Sequence, residues 1–362
     1  MHFKYLRHIT SLFILAAVLC TSPAARAFSI SGNFSDGCHE QITVQSYLPL
    51  MEIMNPDFVE LPDDEASIKI TKNIMESIGL LEDDHHRAYI LASLLVGVRQ
   101  PDTDGHSSLD ILTQRNLHMA DNDQDRHCLR RAGQDGEQGN IDALNDCRTL
   151  IRENLDTALN MLFLQPKDQN IKVSMNLEYY GDVNFYVNGP AYYIGMTAHT
   201  LQDSFSHTLR SEDLHTVQHV TNYVDALGAD HNERRDGMAH SLTLDHCNEE
   251  ARPLANAAAE ATSDLFMAIK SLAEQSDPNA IDKLFNTWLQ YQPGCTKDNN
   301  YCNNAWESTA RKEQTRPILE DLLSCQSAGD LYLLVIAIAF AVVLLRSLFP
   351  ARRNASHRKA AS

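Results

Sequence analysis

The sequence predicts a mainly α fold: a multi-helix bundle joined by long polar loops, with one further apolar helix near the C-terminus. Apolar residues recur at helical spacing in seven segments between residues 66 and 291. Strand-like alternation is confined to scraps such as Asn176–Tyr186. The connections between the periodic segments are long and rich in Asp, Asn, Gln, Gly and His.

Taken in chain order, the first element is an export signal, expected over residues 1–27. Lys4, Arg7 and His8 precede the apolar run Leu12 to Cys20, and Ala25-Arg26-Ala27 offers small residues where a signal peptidase cuts. Cleavage there makes Phe28 the mature N-terminus. Leu19 is too large for the usual lipid-attachment box, so Cys20 is expected to leave with the signal.

Residues 28–330 read as one domain, because no internal repeat or Pro/Gly-rich linker divides them. Helical periodicity covers Ala66–Leu81, Arg87–Val98, Ile141–Leu164, Ala191–Phe205, Val217–Leu227, Ala251–Ala273 and Ile281–Tyr291. Ala251–Ala273 is alanine-rich, and Pro253 near its first turn suits a helix start. The polar connections are Arg99–Asp110, Asn116–Asn140 and Asp225–Glu250.

A second apolar run, Leu331 to Leu345, has no charge and extends to Pro350 if Arg346 snorkels to the interface. It is read as a membrane span over 331–350. Arg352, Arg353, Arg358 and Lys359 in the tail 351–362 place the C-terminus in the cytoplasm by the positive-inside bias. The expected location is therefore an exported, periplasm-facing domain held in the inner membrane.

The chain carries 30 basic and 48 acidic residues. Eight of the basic residues and none of the acidic ones fall in the signal, span and tail, leaving 28–330 with a formal charge of roughly −26. No stable nucleic-acid partner is expected of such a field. Seven cysteines follow the signal: Cys38, Cys128, Cys147, Cys247, Cys295, Cys302 and Cys325. Export makes disulfides the default, with local pairs plausible for Cys128 with Cys147 and Cys295 with Cys302; one cysteine is left over. CxxC pairs are absent, so metal chemistry falls to histidines and carboxylates.

His199, Asp203 and His207 occur at i, i+4 and i+8, which stacks them along one helical face about 6 Å apart. Tyr193, Ile194, Met196, Leu201 and Phe205 support the helix and make it too apolar for a surface. Two imidazoles and a carboxylate on one face suit zinc with a position open to water.

The segment Tyr193-Ile-Gly-Met-Thr-Ala-His199-Thr-Leu-Gln-Asp203-Ser-Phe-Ser-His207 resembles the helix motif of the zinc-dependent phospholipase C and S1/P1 nuclease superfamily. Its spacing is closest to the N-terminal domain of glycosylphosphatidylinositol-specific phospholipase D. The resemblance implies a phospholipase C/P1 nuclease-like helical bundle and three zinc ions. His199 and Asp203 would share one zinc, Asp203 would bridge to another, and His207 would serve a further one.

Other pieces follow in the order of that family. Cys38-His39-Glu40 resembles the motif whose His shares a zinc with the mature amino group and first carbonyl, here those of Phe28. Gly97-Val-Arg-Gln-Pro-Asp102 resembles the element that supplies an active-site carboxylate, which makes Asp102 the candidate general base, with Asp104 as the near alternative. His118 sits where the family supplies another ligand, and His127 competes for the role. His215 and His219 have helical spacing, but His219 stands where the family has a carboxylate. His240, with Asp236 and Asp245 nearby, resembles a ligand segment, and His246 with Glu250 also has the i, i+4 spacing.

The resemblance spans residues 28 to 250 and implies phosphodiester hydrolysis by metal-activated water, with phospholipid the expected substrate. An S1/P1-like single-strand nuclease is the enzymatic alternative. A non-catalytic zinc-binding exported protein is the alternative of another class.

Overall fold

The computed structural model describes residues 37–54, 58–80, 84–107, 110–177, 181–241, 243–245, 247 and 249–311. The expected signal, Phe28, Cys325, the apolar run and the basic tail lie outside them. Among the described residues, no helix is long and apolar enough to cross a membrane.

Asp84 starts helix α4 (His85–Thr103) by accepting from the amides of His86 and Arg87. Before it come α1 (Cys38–Ser46), α2 (Leu48–Ile53) and α3 (Glu65–Ser77). After it come α5 (Ile111–His118), a 3-10 segment Asp121–His127, and the long α6 (Gly136–Leu162). Two strands, β1 (Asn170–Leu177) and β2 (Gly181–Asn188), pair antiparallel. Asn188 then caps α7 (Gly189–Ser206) through the Ala191 amide, with Pro190 in the first turn. A small sheet joins β3 (Thr208–Arg210), β4 (Thr216–Val220) and β5 (Gln290–Tyr291), and between its strands run α8 (Arg252–Ala273) and α9 (Ala280–Trp288).

The chain is thus mainly helical, with α7 at its centre, packed by α4, α6 and α8. Nearly every residue of α7 is buried. Its crossing with α4 depends on two glycines. A Cβ on Gly97 would lie 2.0 Å from the Tyr192 carbonyl oxygen, and one on Gly195 would lie 2.2 Å from that of Leu94. Backbone meets backbone there, which brings the last turns of both helices together. The last turn of α4 carries Asp102, and the C-terminal half of α7 carries His199 and Asp203.

Several segments differ from the periodicity. Val217–Leu227 is not a helix: β4 occupies its first half, and a single 3-10 turn, Asp225–Leu227, its second. Four of the five β4 residues are buried, because the strand has α6 on one side and its sheet neighbours along both edges. Val217, Val220, Val224 and Leu227 stand three or four residues apart across the strand and the turn, a spacing that imitates a helical period. Asn176–Tyr186 contains the end of one strand and most of the next. The helix beginning near Arg87 continues past Val98, because Pro101 forfeits only the bond to the Gly97 carbonyl.

Arg210 closes the end of α7. Its fully buried guanidinium bonds to the carbonyls of Ser204, Leu214 and Trp288 and lies 3.8 Å from the Phe205 ring centroid. Burial lowers its pKa to about 9.

Candidate metal centre

Six histidines and three aspartates converge where α1, α4, α5, α7, the 3-10 segment and the loop before α8 meet. Three groups have potential ligand atoms all within 4.8 Å of one another. The first is His39, Asp102, His199 and Asp203; the second is Asp102, His118 and His127; the third is His207, His240 and Asp245. Asp102 belongs to two of them.

Asp203 ties the groups together. Its Oδ1 lies 3.0 Å from His39 Nε2, and its Oδ2 lies 2.7 Å from His127 Nδ1, 3.0 Å from His199 Nε2 and 3.8 Å from His207 Nδ1. Asp102 Oδ1 faces His199, His118 and His127 at 3.5, 3.6 and 3.8 Å. In the third group, Asp245 lies 3.1 Å from His207 Nε2 and 2.9 Å from His240 Nε2.

Neighbouring acceptors fix how three of the rings face. His39 Nδ1 is 2.8 Å from Gln202 Oε1, His118 Nδ1 is 2.8 Å from the Gln114 carbonyl, and His207 Nδ1 is 2.6 Å from the His127 carbonyl. Each acceptor requires a proton on Nδ1. In a neutral ring the Nε2 lone pair then points at a carboxylate oxygen about 3 to 3.6 Å away. Lone pair against lone pair is repulsive unless a proton or a cation lies between them. This donor set, of imidazole nitrogens and carboxylate oxygens with partners behind the rings, fits zinc.

The charges follow from this crowding. Burial works against ionisation of Asp203, yet the imidazoles of His199, His207 and His39 hold its carboxyl well below the usual range. Asp102 falls to about 2 against burial, through His199, a hydrogen bond with His118, and His39. Asp203 raises His39 to about 9 against burial, and Asp203 with Asp245 does the same for His207. His127 is pushed down to about 4 by burial, which outweighs Asp203. Protons and a metal ion would compete for the same nitrogens and oxygens.

Of the residues singled out from sequence, His39, Asp102, His118, His199, Asp203, His207 and His240 lie in these groups. Asp102, the candidate general base, sits among the donors, with one oxygen directed at three imidazoles. His127 and Asp245, alternatives from sequence, are both present. Phe28 and His246 fall outside the described residues.

His215 and His219 stand apart. His215 is exposed at the start of β4, its ring 4.5 Å from that of Trp288. The i, i+4 spacing of this pair falls on a strand, where residues four apart are more than 12 Å from each other. His219 Nε2 accepts from the Met238 amide, and its ring stacks on Tyr301 at 4.5 Å. Burial first, and Arg130 and Arg311 next, drive its pKa far below the ordinary value. Asp104 is exposed beside Arg126, Glu250 is exposed, and Asp236 is paired with Arg235.

Two disulfides hold ligand-bearing segments in place. Cys38–Cys247 joins the residue before His39 to the loop of Asp245, and Cys128–Cys147 fastens the residue after His127 to α6. Cys295–Cys302 closes a distant loop. No protein-family model matches this chain, and no curated protein or solved structure matches it.

Proposed function

We propose that the protein is a zinc-dependent phosphodiester hydrolase of phospholipase C type, acting on phospholipid from an exported, membrane-anchored domain. The observation that carries the reading is the meeting of three His/Asp groups around Asp203, with Asp102 shared between two of them. Two of the groups have three protein donors, which leaves positions for substrate and water.

Zinc held there supplies Lewis acidity toward a phosphoryl oxygen and lowers the pKa of water toward about 7. The chain's own residues orient the centre. Gln202 and the Gln114 and His127 carbonyls keep the Nε2 atoms of His39, His118 and His207 directed inward. Apolar α4 and α7 exclude water from the back of the site. Three disulfides fit an oxidising compartment.

Metal analysis of the purified full chain tests the reading, together with assays on single-stranded DNA and on vesicles of phosphatidylcholine and phosphatidylserine. Three tightly held zinc ions and release of diacylglycerol are expected. Degradation of DNA alone makes the protein a nuclease; labile metal without turnover makes it a binding protein.

A further inference from the structure

A cavity of about 140 Å³ lies between α6, the end of β4, the turn Glu233–Gly237 and the loop closed by Cys295–Cys302. None of the metal donors lines it. Arg130 and His219 do, and both are buried, the first completely and the second to within 4 %.

His219 Nε2 accepts from the Met238 amide at 2.9 Å, so that nitrogen carries no proton and Nδ1 carries the ring's N–H. Nδ1 lies 3.5 Å from Arg130 Nη2, an atom that can only donate. Donor therefore faces donor at the wall of the cavity. Arg130 spends its other bonds on the carbonyls of Val220 and Gln134 and on Asn140 Oδ1, which also accepts from the Val220 amide. Of the five N–H groups of a guanidinium, two are left without an acceptor among the described residues.

A buried arginine does not by itself call for a ligand. Arg210 is just as buried, and carbonyl and hydroxyl oxygens surround its three nitrogens. Arg130 differs by the opposed donor and by the open volume beside it. A Cβ on Gly237 would lie 3.0 Å from the guanidinium carbon, so glycine keeps a side chain off that position. The carboxylates that line the same cavity are engaged with other groups. Glu233 takes Tyr301, Arg311 and Lys297, Asp298 pairs with Arg234, and Glu137 accepts from the Gly294 amide.

We propose that this cavity binds a small oxyanion, a carboxylate or a phosphate group, held between the Arg130 guanidinium and the His219 Nδ1–H. An oxyanion presents lone pairs alone, so one oxygen accepts from both opposed donors, and its charge balances a buried cation that no carboxylate pairs with. A water molecule would bring two protons of its own to a wall whose acceptors are already occupied. The volume suits one such group: an apolar cavity of about 150 Å³ admits benzene, a molecule of about six heavy atoms. The site is separate from the metal centre and does not depend on the hydrolase reading.

Equilibrium dialysis of the zinc-loaded full chain against labelled inorganic phosphate and, separately, labelled acetate tests the proposal. Zinc itself binds phosphate, so wild type is compared with a variant of equal zinc content. His219→Gln sets an amide oxygen near the Nε2 position, which keeps the bond from Met238, and removes the donor that faces Arg130. Wild type is expected to bind one anion more per chain than His219→Gln, whose affinity at this site falls about tenfold or more. Extra phosphate assigns the site to a phosphate group and extra acetate to a carboxylate. Identical binding of both anions by the two proteins overturns the proposal. Wild-type crystals soaked in selenate give a second readout that needs no variant. An anomalous peak between Arg130 and His219 is expected, and peaks over the zinc donors alone overturn the site.

Discussion

Asp203 presents its two oxygens to different imidazoles, Oδ1 to His39 and Oδ2 to His127 and His199. Replacing one oxygen by an amide nitrogen turns an acceptor into a donor facing other donors. Asp203→Asn is therefore expected to lose at least one zinc and nearly all turnover, checked by elemental analysis on the folded variant. Full metal content in that variant would sink the bridging role.

Gln202 is a residue that sequence reading passed over. It lies inside the metal motif, buried, accepting from His39 and donating to Thr43 and Thr262. Only the fold shows that its amide oxygen fixes the His39 ring. Gln202→Ala is expected to weaken zinc binding about 10- to 100-fold in competition with a chromogenic chelator. His215→Ala, by contrast, is expected to leave metal content unchanged, since the ring only covers Trp288.

At the scale of the element, the position of the centre depends on the α4–α7 crossing. Gly195→Ala forces a methyl into the Leu94 carbonyl, and overpacking of this kind costs about 1–3 kcal/mol. Chemical denaturation of the metal-free protein measures it, and unchanged stability would show that the helices slide apart freely. Helix α7 was legible in sequence because its burial, cap and ligand spacing all share one period. Strand β4 was not, because it buries the polar Gln218 and His219, and its valines continue into the following turn at three- and four-residue spacing. His219 was singled out on that mistaken period; in the fold its ring lies between Tyr301 and Arg130.

For the whole molecule, the C-terminal part of the described chain is clasped by one carboxylate. Glu233 accepts from Tyr301 at 2.7 Å and pairs with Arg311 and with Lys297 at 2.6 Å. Burial opposes its ionisation, but these partners lower its pKa from 4.5 to about 2. A depressed carboxyl pKa stabilises the fold above the unfolded value and loses that contribution as pH falls from about 4.5 through 2. Glu233→Gln is expected to flatten the fall in stability over that window, measured with chelator present so that metal loss does not enter. An unchanged acid limb would assign the fall to the aspartates of the centre.

The disulfide Cys38–Cys247 also belongs to this scale, since it joins residues 209 apart in sequence. Local pairing was visible from spacing for Cys128–Cys147 and Cys295–Cys302. A partner that far along the chain was not, because loop closure over such a length leaves no local signature.

The sequence by itself determined the helical class, the acidic charge and a row of His and Asp on one helix, because composition and the 3.6-residue period are local properties. It also put His39, Asp102, His118 and His240 forward by their likeness to a motif order. Only the tertiary structure decided which of them meet. Two glycines set a backbone-close crossing and a disulfide draws in a distant loop, and ligand geometry depends on distances between segments that the sequence keeps far apart.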